Sequence, residues 1–167
     1  MYSPSVMRAW LVPIVLLAAL PACRDLSRFS SGDDHFEGPV VRGSFVCAGI
    51  AEDASVCLRI DTEHLQDAPG FISSTDGRFA STPLRPIPQI WQDPLSTLSF
   101  GEGRVKNLIY AVTPNPDAGD PQDMFVVVSF MQNDDIEVRV LRSAPGGSTN
   151  AVFGVFTLTR HKGPCSY

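Results

Sequence analysis

Four runs in the second half of the chain constrain its fold more than any other feature: residues 104–113 (RVKNLIYAVT), 123–131 (DMFVVVSFM), 136–142 (IEVRVLR) and 151–160 (AVFGVFTLTR). Each is rich in Val, Ile, Phe and Thr, whose branched or aromatic side chains suit a pleated, half-buried surface. Asn133-Asp134-Asp135 supplies turn chemistry between two of them. Helical periodicity is nearly absent, so the chain lacks the crossover helices that a parallel sheet requires. The expected fold class is mainly β: an antiparallel β-sandwich or partly closed barrel of about six to eight strands.

The first half adds two more strands. Residues 39–50 (PVVRGSFVCAGI) and 55–62 (SVCLRIDT) flank Glu52-Asp53 and read as a hairpin. In the second run Val56, Leu58 and Ile60 alternate with Cys57, Arg59 and Asp61, the two-residue period of a strand with one buried face. Asp61-Thr62 is placed to cap a brief helical turn through His64 and Leu65, which Pro69-Gly70 stops. Prolines 83, 86, 88 and 94 exclude a long helix or a central strand from residues 71–94. That stretch is expected to run extended over the surface or an edge.

The N-terminus has a different character. Arg8 is followed by an apolar run at residues 9–20 (AWLVPIVLLAAL), the length of an export signal. Crossing about 30 Å of hydrocarbon takes about 20 apolar residues, and Pro13 disturbs a helix in the middle of this shorter run. Leu20-Pro21-Ala22-Cys23 resembles the bacterial lipobox, with Pro21 a small departure from its commonest pattern. The resemblance implies that residues 1–22 are a lipoprotein signal peptide and that Cys23 becomes a lipidated N-terminus bearing two or three acyl chains. At about 0.8 kcal/mol per buried methylene, such an anchor holds far longer than a single chain. Arg24 rather than Asp after the cysteine points, by the same resemblance, to the outer membrane of a bacterial envelope. Residues 24–38 (RDLSRFSSGDDHFEG) are polar and aperiodic and read as a flexible tether. Residues 39–167 are then expected to form one β domain, a usual domain size.

Charge narrows the partners. The leader holds one of the 13 basic residues and none of the 18 acids, so the mature chain carries a net charge of −6. This balance gives no electrostatic reason to expect nucleic acid as a partner. Expected partners are a membrane, through the lipid on Cys23, and an envelope protein.

With Cys23 assigned to lipid, Cys47, Cys57 and Cys165 remain in an oxidising compartment. A turn at Glu52-Asp53 sets Cys47 opposite Leu58 on the apolar face and leaves Cys57 on the polar face. A disulfide between Cys57 and Cys165 is therefore expected, with the C-terminal tail crossing the outer face and Cys47 a buried thiol.

Chemical motifs are sparse. Asp117, Asp120 and Asp123 carry oxygen ligands suited to Ca²⁺ but lack EF-hand spacing, and read as a solvated turn. His35, His64 and His161 have no metal-ligand spacing and read as solvated, so neither a metal nor a cofactor is expected. Gly101-Glu102-Gly103-Arg104 lacks the GK[ST] of a phosphate loop and reads as a turn before a strand. No GxSxG occurs. Asp76, Arg78 and Trp91, beside Phe79, form the most suggestive binding cluster, weighed against an internal ion pair at a turn. The leading functional expectation is a non-enzymatic interaction or structural module. A second is a small-ligand carrier with a pocket lined by Phe125, Phe130, Phe153 and Phe156. A third is an enzyme assembled from distant loops, with Asp76, Arg78, Glu102 and Arg104 as candidates.

Overall fold

The computed structural model describes residues 26–41, 53–88, 103–115, 117, 124–142 and 152–167. A 3₁₀ turn at Ser27–Phe29 precedes nine strands: β1 His35–Pro39, β2 Ser55–Ile60, β3 Gly70–Ser74, β4 Thr82–Pro83, β5 Arg85–Pro86, β6 Arg104–Val112, β7 Met124–Met131, β8 Ile136–Arg142 and β9 Val152–His161. All pair antiparallel in one sheet of order β4-β3-β2-β1-β9-β8-β7-β6-β5. Among the described residues no helix is long and apolar enough to cross a membrane.

The two edges of this sheet belong to one stretch of chain. Thr82–Pro83 pairs with β3, Arg85–Pro86 pairs with β6, and buried Leu84 joins them while its N–H donates to the Gly70 carbonyl at 2.9 Å. The sheet thus curls into a nearly closed barrel. Proline is tolerated here because each short strand pairs on one side alone, and the missing N–H interrupts no ladder.

The long strands follow their sequence period. Ile136, Val138 and Val140 of β8, Phe156 and Leu158 of β9, and Val56, Leu58 and Ile60 of β2 all point into one core. Phe36, Tyr110 and Phe130 join them, each fully buried, and Phe29 packs on Phe130 with ring centroids 4.9 Å apart. The β7–β8 turn places Asp134 at φ 69°, a conformation that Asp tolerates better than most side chains.

Three sequence expectations need correction. Of the tether expected at residues 24–38, the described part, residues 26–38, belongs to the domain. Phe29 and Phe36 are buried, and β1 lies between β2 and β9. The domain therefore begins before residue 39. Next, β2 pairs with residues 35–39, Phe36 facing Leu58 and Glu37 facing Cys57, rather than with a strand of residues 39–50 in the register inferred above. Residues 42–52, with Cys47, lie outside the described residues. Finally, the proline-rich middle opens with a true interior strand, β3, paired on both sides. Pro83 and Pro86 occupy the edge strands as expected, and Pro94 lies outside the described residues.

At Gly38 the backbones of β1 and β9 come close together. A Cβ there would collide with the backbone carbonyl of Thr157, which no rotamer change can relieve. Gly38→Ala is expected to cost about 2 kcal/mol, as overpacking a filled interior does. A urea titration followed by far-ultraviolet circular dichroism checks this, and an unchanged midpoint would remove the close approach.

Candidate functional site

Where Phe36, Val56, Leu58 and Ile72 face the core, their neighbours Glu37, Cys57 and Ser73 point outward and stand side by side across β1, β2 and β3. Such a face is ordinarily wet, yet Cys57 is 0% exposed and His35 5%. The tail after β9 accounts for this, since Cys165 is bonded to Cys57 with the Cα atoms 6.0 Å apart. The C-terminal residues cross the outer face as a strap.

His35 secures the strap. Its Nδ1 lies 2.6 Å from the Gly163 carbonyl and its Nε2 lies 3.1 Å from Oε2 of Glu37, while its ring stacks on His161 at 5.6 Å. The Gly163 oxygen only accepts, so Nδ1–H donates to it. Burial raises the Tyr167 phenol well above its ordinary range, and the neighbouring Glu37 carboxylate pushes the same way. A cleft of about 270 Å³ lined by Arg59, Phe71, Ser73, Ser81, Cys165 and Tyr167 flanks this clasp.

Ligand atoms of His35, Glu37 and Cys57 lie within 4.8 Å of one another, the one such grouping among the described residues. Cys57 spends its sulfur in the disulfide and offers no thiolate to a metal. One imidazole and one carboxylate are fewer ligands than a structural or catalytic zinc site uses. The geometry is that of a clasp. For His35 this replaces the expectation of a solvated ring.

The other two histidines are exposed. His64 Nδ1 sits 2.8 Å from Oδ2 of Asp61, and that hydrogen bond raises the His64 pKa above 6.5 and lowers that of Asp61 below 3.8. Asp61 and Glu63 also form an Asx turn, with Glu63 N–H donating to Asp61 Oδ1 at 2.9 Å. The sign follows from linkage: the pair contributes to stability where Asp61 is ionised and His64 protonated. That contribution is lost as pH falls through the lowered Asp61 value and as pH rises through the raised His64 value. An NMR titration should place the His64 midpoint above 6.5, and Asp61→Asn should bring it down; no response to that variant would refute the pairing.

Asp76 and Arg78 are brought together at the β3–β4 turn. Asp76 Oδ1 accepts from Ser74 Oγ at 2.6 Å and from Arg78 N–H at 3.1 Å, and Arg78 Nε lies 4.0 Å from Asp76 Oδ2. Both side chains are nearly covered, Phe79 is core, and Asn115 N–H donates to the Arg78 carbonyl at 2.8 Å. These bonds clip the turn and dock it on the end of β6. Trp91, the third member of that cluster, lies outside the described residues, as do Cys23, Glu102, Asp120 and Asp123. Asp117 N–H donates to Asn115 Oδ1 at 3.2 Å in a local turn.

Sequence reading missed His35, Glu37 and Tyr167. The available signal was Phe29 and Phe36, two large apolar side chains in a stretch otherwise too polar to pack. It also missed an outer ion-pair cluster in which Glu137 Oε1 accepts from Arg104 at 2.7 Å and lies 2.8 Å from Arg139 Nε. Of the phenylalanines considered for a ligand pocket, Phe130 and Phe156 are core and Phe125 is 39% exposed on the outside. No family model, no curated protein and no solved structure matches the chain.

Proposed function

We propose that this chain is a bacterial envelope lipoprotein, exported by residues 1–22, lipidated at Cys23 and carrying a non-enzymatic β-barrel that works as an interaction or structural module at the membrane. The address rests on the resemblance of Leu20-Pro21-Ala22-Cys23 to the lipobox, and Arg24 favours the outer membrane. The observation that carries the module reading is how the barrel spends its own groups. Phe29, Phe36, Tyr110, Phe130 and Phe156 fill the core. His35, Glu37, Asp76 and Arg78 are engaged in bonds that hold the strap and a turn. What such a barrel offers a partner is its outer surface.

Two experiments test the two parts. Cys23→Ser should abolish acylation and release the protein from sedimented membranes; a variant that fractionates like the parent overturns the anchor. Crosslinking in the native envelope should return a reproducible protein neighbour. Purified protein that instead releases a stoichiometric lipid or small molecule on denaturation would favour a carrier.

A further inference from the structure

The anchor and the fold together orient the barrel, provided that Cys23 is lipidated as proposed above. Leu26 packs against the core, Phe29 is fully buried, and the turn between them is tied down at several points. The Arg160 guanidinium donates to the carbonyls of Arg28 at 2.6 Å and Ser30 at 3.1 Å. Ser31 N–H donates to the Ile60 carbonyl at 2.7 Å, and Ile60 N–H donates back to Ser31 Oγ at 2.9 Å. Only Arg24 and Asp25 therefore separate the acylated residue from a fixed point on the barrel. Three residue steps reach at most about 11 Å even when fully extended.

Leu26 lies at the end of the barrel where β1 and β3 begin, where β2 and β9 finish, and where β7 turns into β8. We infer that this end rests against the lipid headgroups and that the opposite end, where β1 leads to β2 and β3 to β4, points away from the membrane. Strand β6 covers about 26 Å along its length, or about 20 Å along the barrel axis at the usual tilt, so the two ends differ in depth by more than the leash allows. Charge does not draw the lower end down. Exposed Asp33, Glu63, Asp67 and Asp134 there face Arg28 and Lys162, a mixed and mainly acidic surface. The contact is imposed by the short leash.

The test uses the full lipidated protein in phosphatidylcholine vesicles that carry a nitroxide quencher on the headgroup. A thiol-reactive fluorophore is placed one site at a time, in a Cys47→Ala background, at Asp33→Cys or Gln132→Cys on the lower end and at Asp53→Cys or Ala80→Cys on the upper. Emission should be lost at 33 and 132 and unchanged at 53 and 80. A long Gly-Ser insert after Asp25 should restore emission at the lower sites. Equal or greater loss at the upper sites overturns the orientation, and quenching that survives the insert overturns the leash as its cause. Mass spectrometry of Cys23 separates the premises: no acyl chain there overturns the anchor and the orientation together, whereas acylated protein with the wrong quenching pattern overturns the orientation alone.

Discussion

Phe36→Ala is expected to destabilise the barrel by about 3–5 kcal/mol, the range for emptying a large aromatic site in a packed core. Phe36 is fully buried, sits opposite Leu58, and carries the Arg160 guanidinium 4.7 Å from its ring centroid. Truncation therefore leaves a cavity between β2 and β9 and takes away the surface on which Arg160 lies. Since Arg160 also holds the carbonyls of Arg28 and Ser30, the N-terminal turn should loosen along with the strand. Domains of this size have only about 5–15 kcal/mol in total, so the urea midpoint should fall steeply. Asp33→Ala, an exposed change in the same segment, should stay within about 0.5 kcal/mol. A flexible tether would respond to neither substitution, and that outcome would return residues 26–38 to the tether reading.

The second large effect is loss of the disulfide. Cys57 and Cys165 are 108 residues apart, so their bond closes a loop that takes in β3 to β9. For a loop of about 100 residues the chain-entropy estimate is about 4.7 kcal/mol, and measured values usually fall at about 2–4 kcal/mol. A double Cys57→Ser, Cys165→Ser variant should therefore lose about 3 kcal/mol in chemical denaturation, and reduced wild-type protein should match it. The local consequence is distinct from the global one. With the bond cut, the His35 contact to Gly163, the Lys162 contact to Asp34 and the Tyr167 approach to Glu37 are left to hold the strap over β1 and β2. Amide exchange should accelerate at Gly163–Tyr167 and then around His35 before it does in β7 and β8. A variant as stable as the parent, with the strap still protected, would show that the tail packs by itself and that the bond merely records it.

The site and the fold were legible to different degrees, for reasons that individual residues make plain. Cys57 belongs to a strand whose alternation with Val56, Leu58 and Ile60 assigns it to the outer face without any knowledge of its neighbours. His35 and Glu37 carry no such label. They alternate with Phe36 over only a five-residue strand that ends in Gly38-Pro39, too short for a period to rise above a polar background. The burial of His35 comes from a segment more than a hundred residues away, and no local pattern encodes a cover supplied by Gly163 and Cys165. Asp76 and Arg78 were recognisable as a pair because a turn joins them, while the hydrogen bond that docks that turn comes from the distant Asn115.

By itself the sequence determined the class of this protein: residues that alternate or cluster as β-formers, separated by turn chemistry and lacking helical spacing, form an antiparallel β domain, because one-sided burial imprints a two-residue period on each strand. Tertiary structure decided which strands are neighbours. It placed β1 between β2 and β9, made β3 an interior strand, and closed the sheet by giving both edges to residues 82–86. Backbone N–H and C=O groups are the same in every residue, so a short strand's partner is selected by long-range packing and not by its own composition. Leu84 seals the seam for that reason, and Phe36 holds β1 in the core despite the polar residues around it.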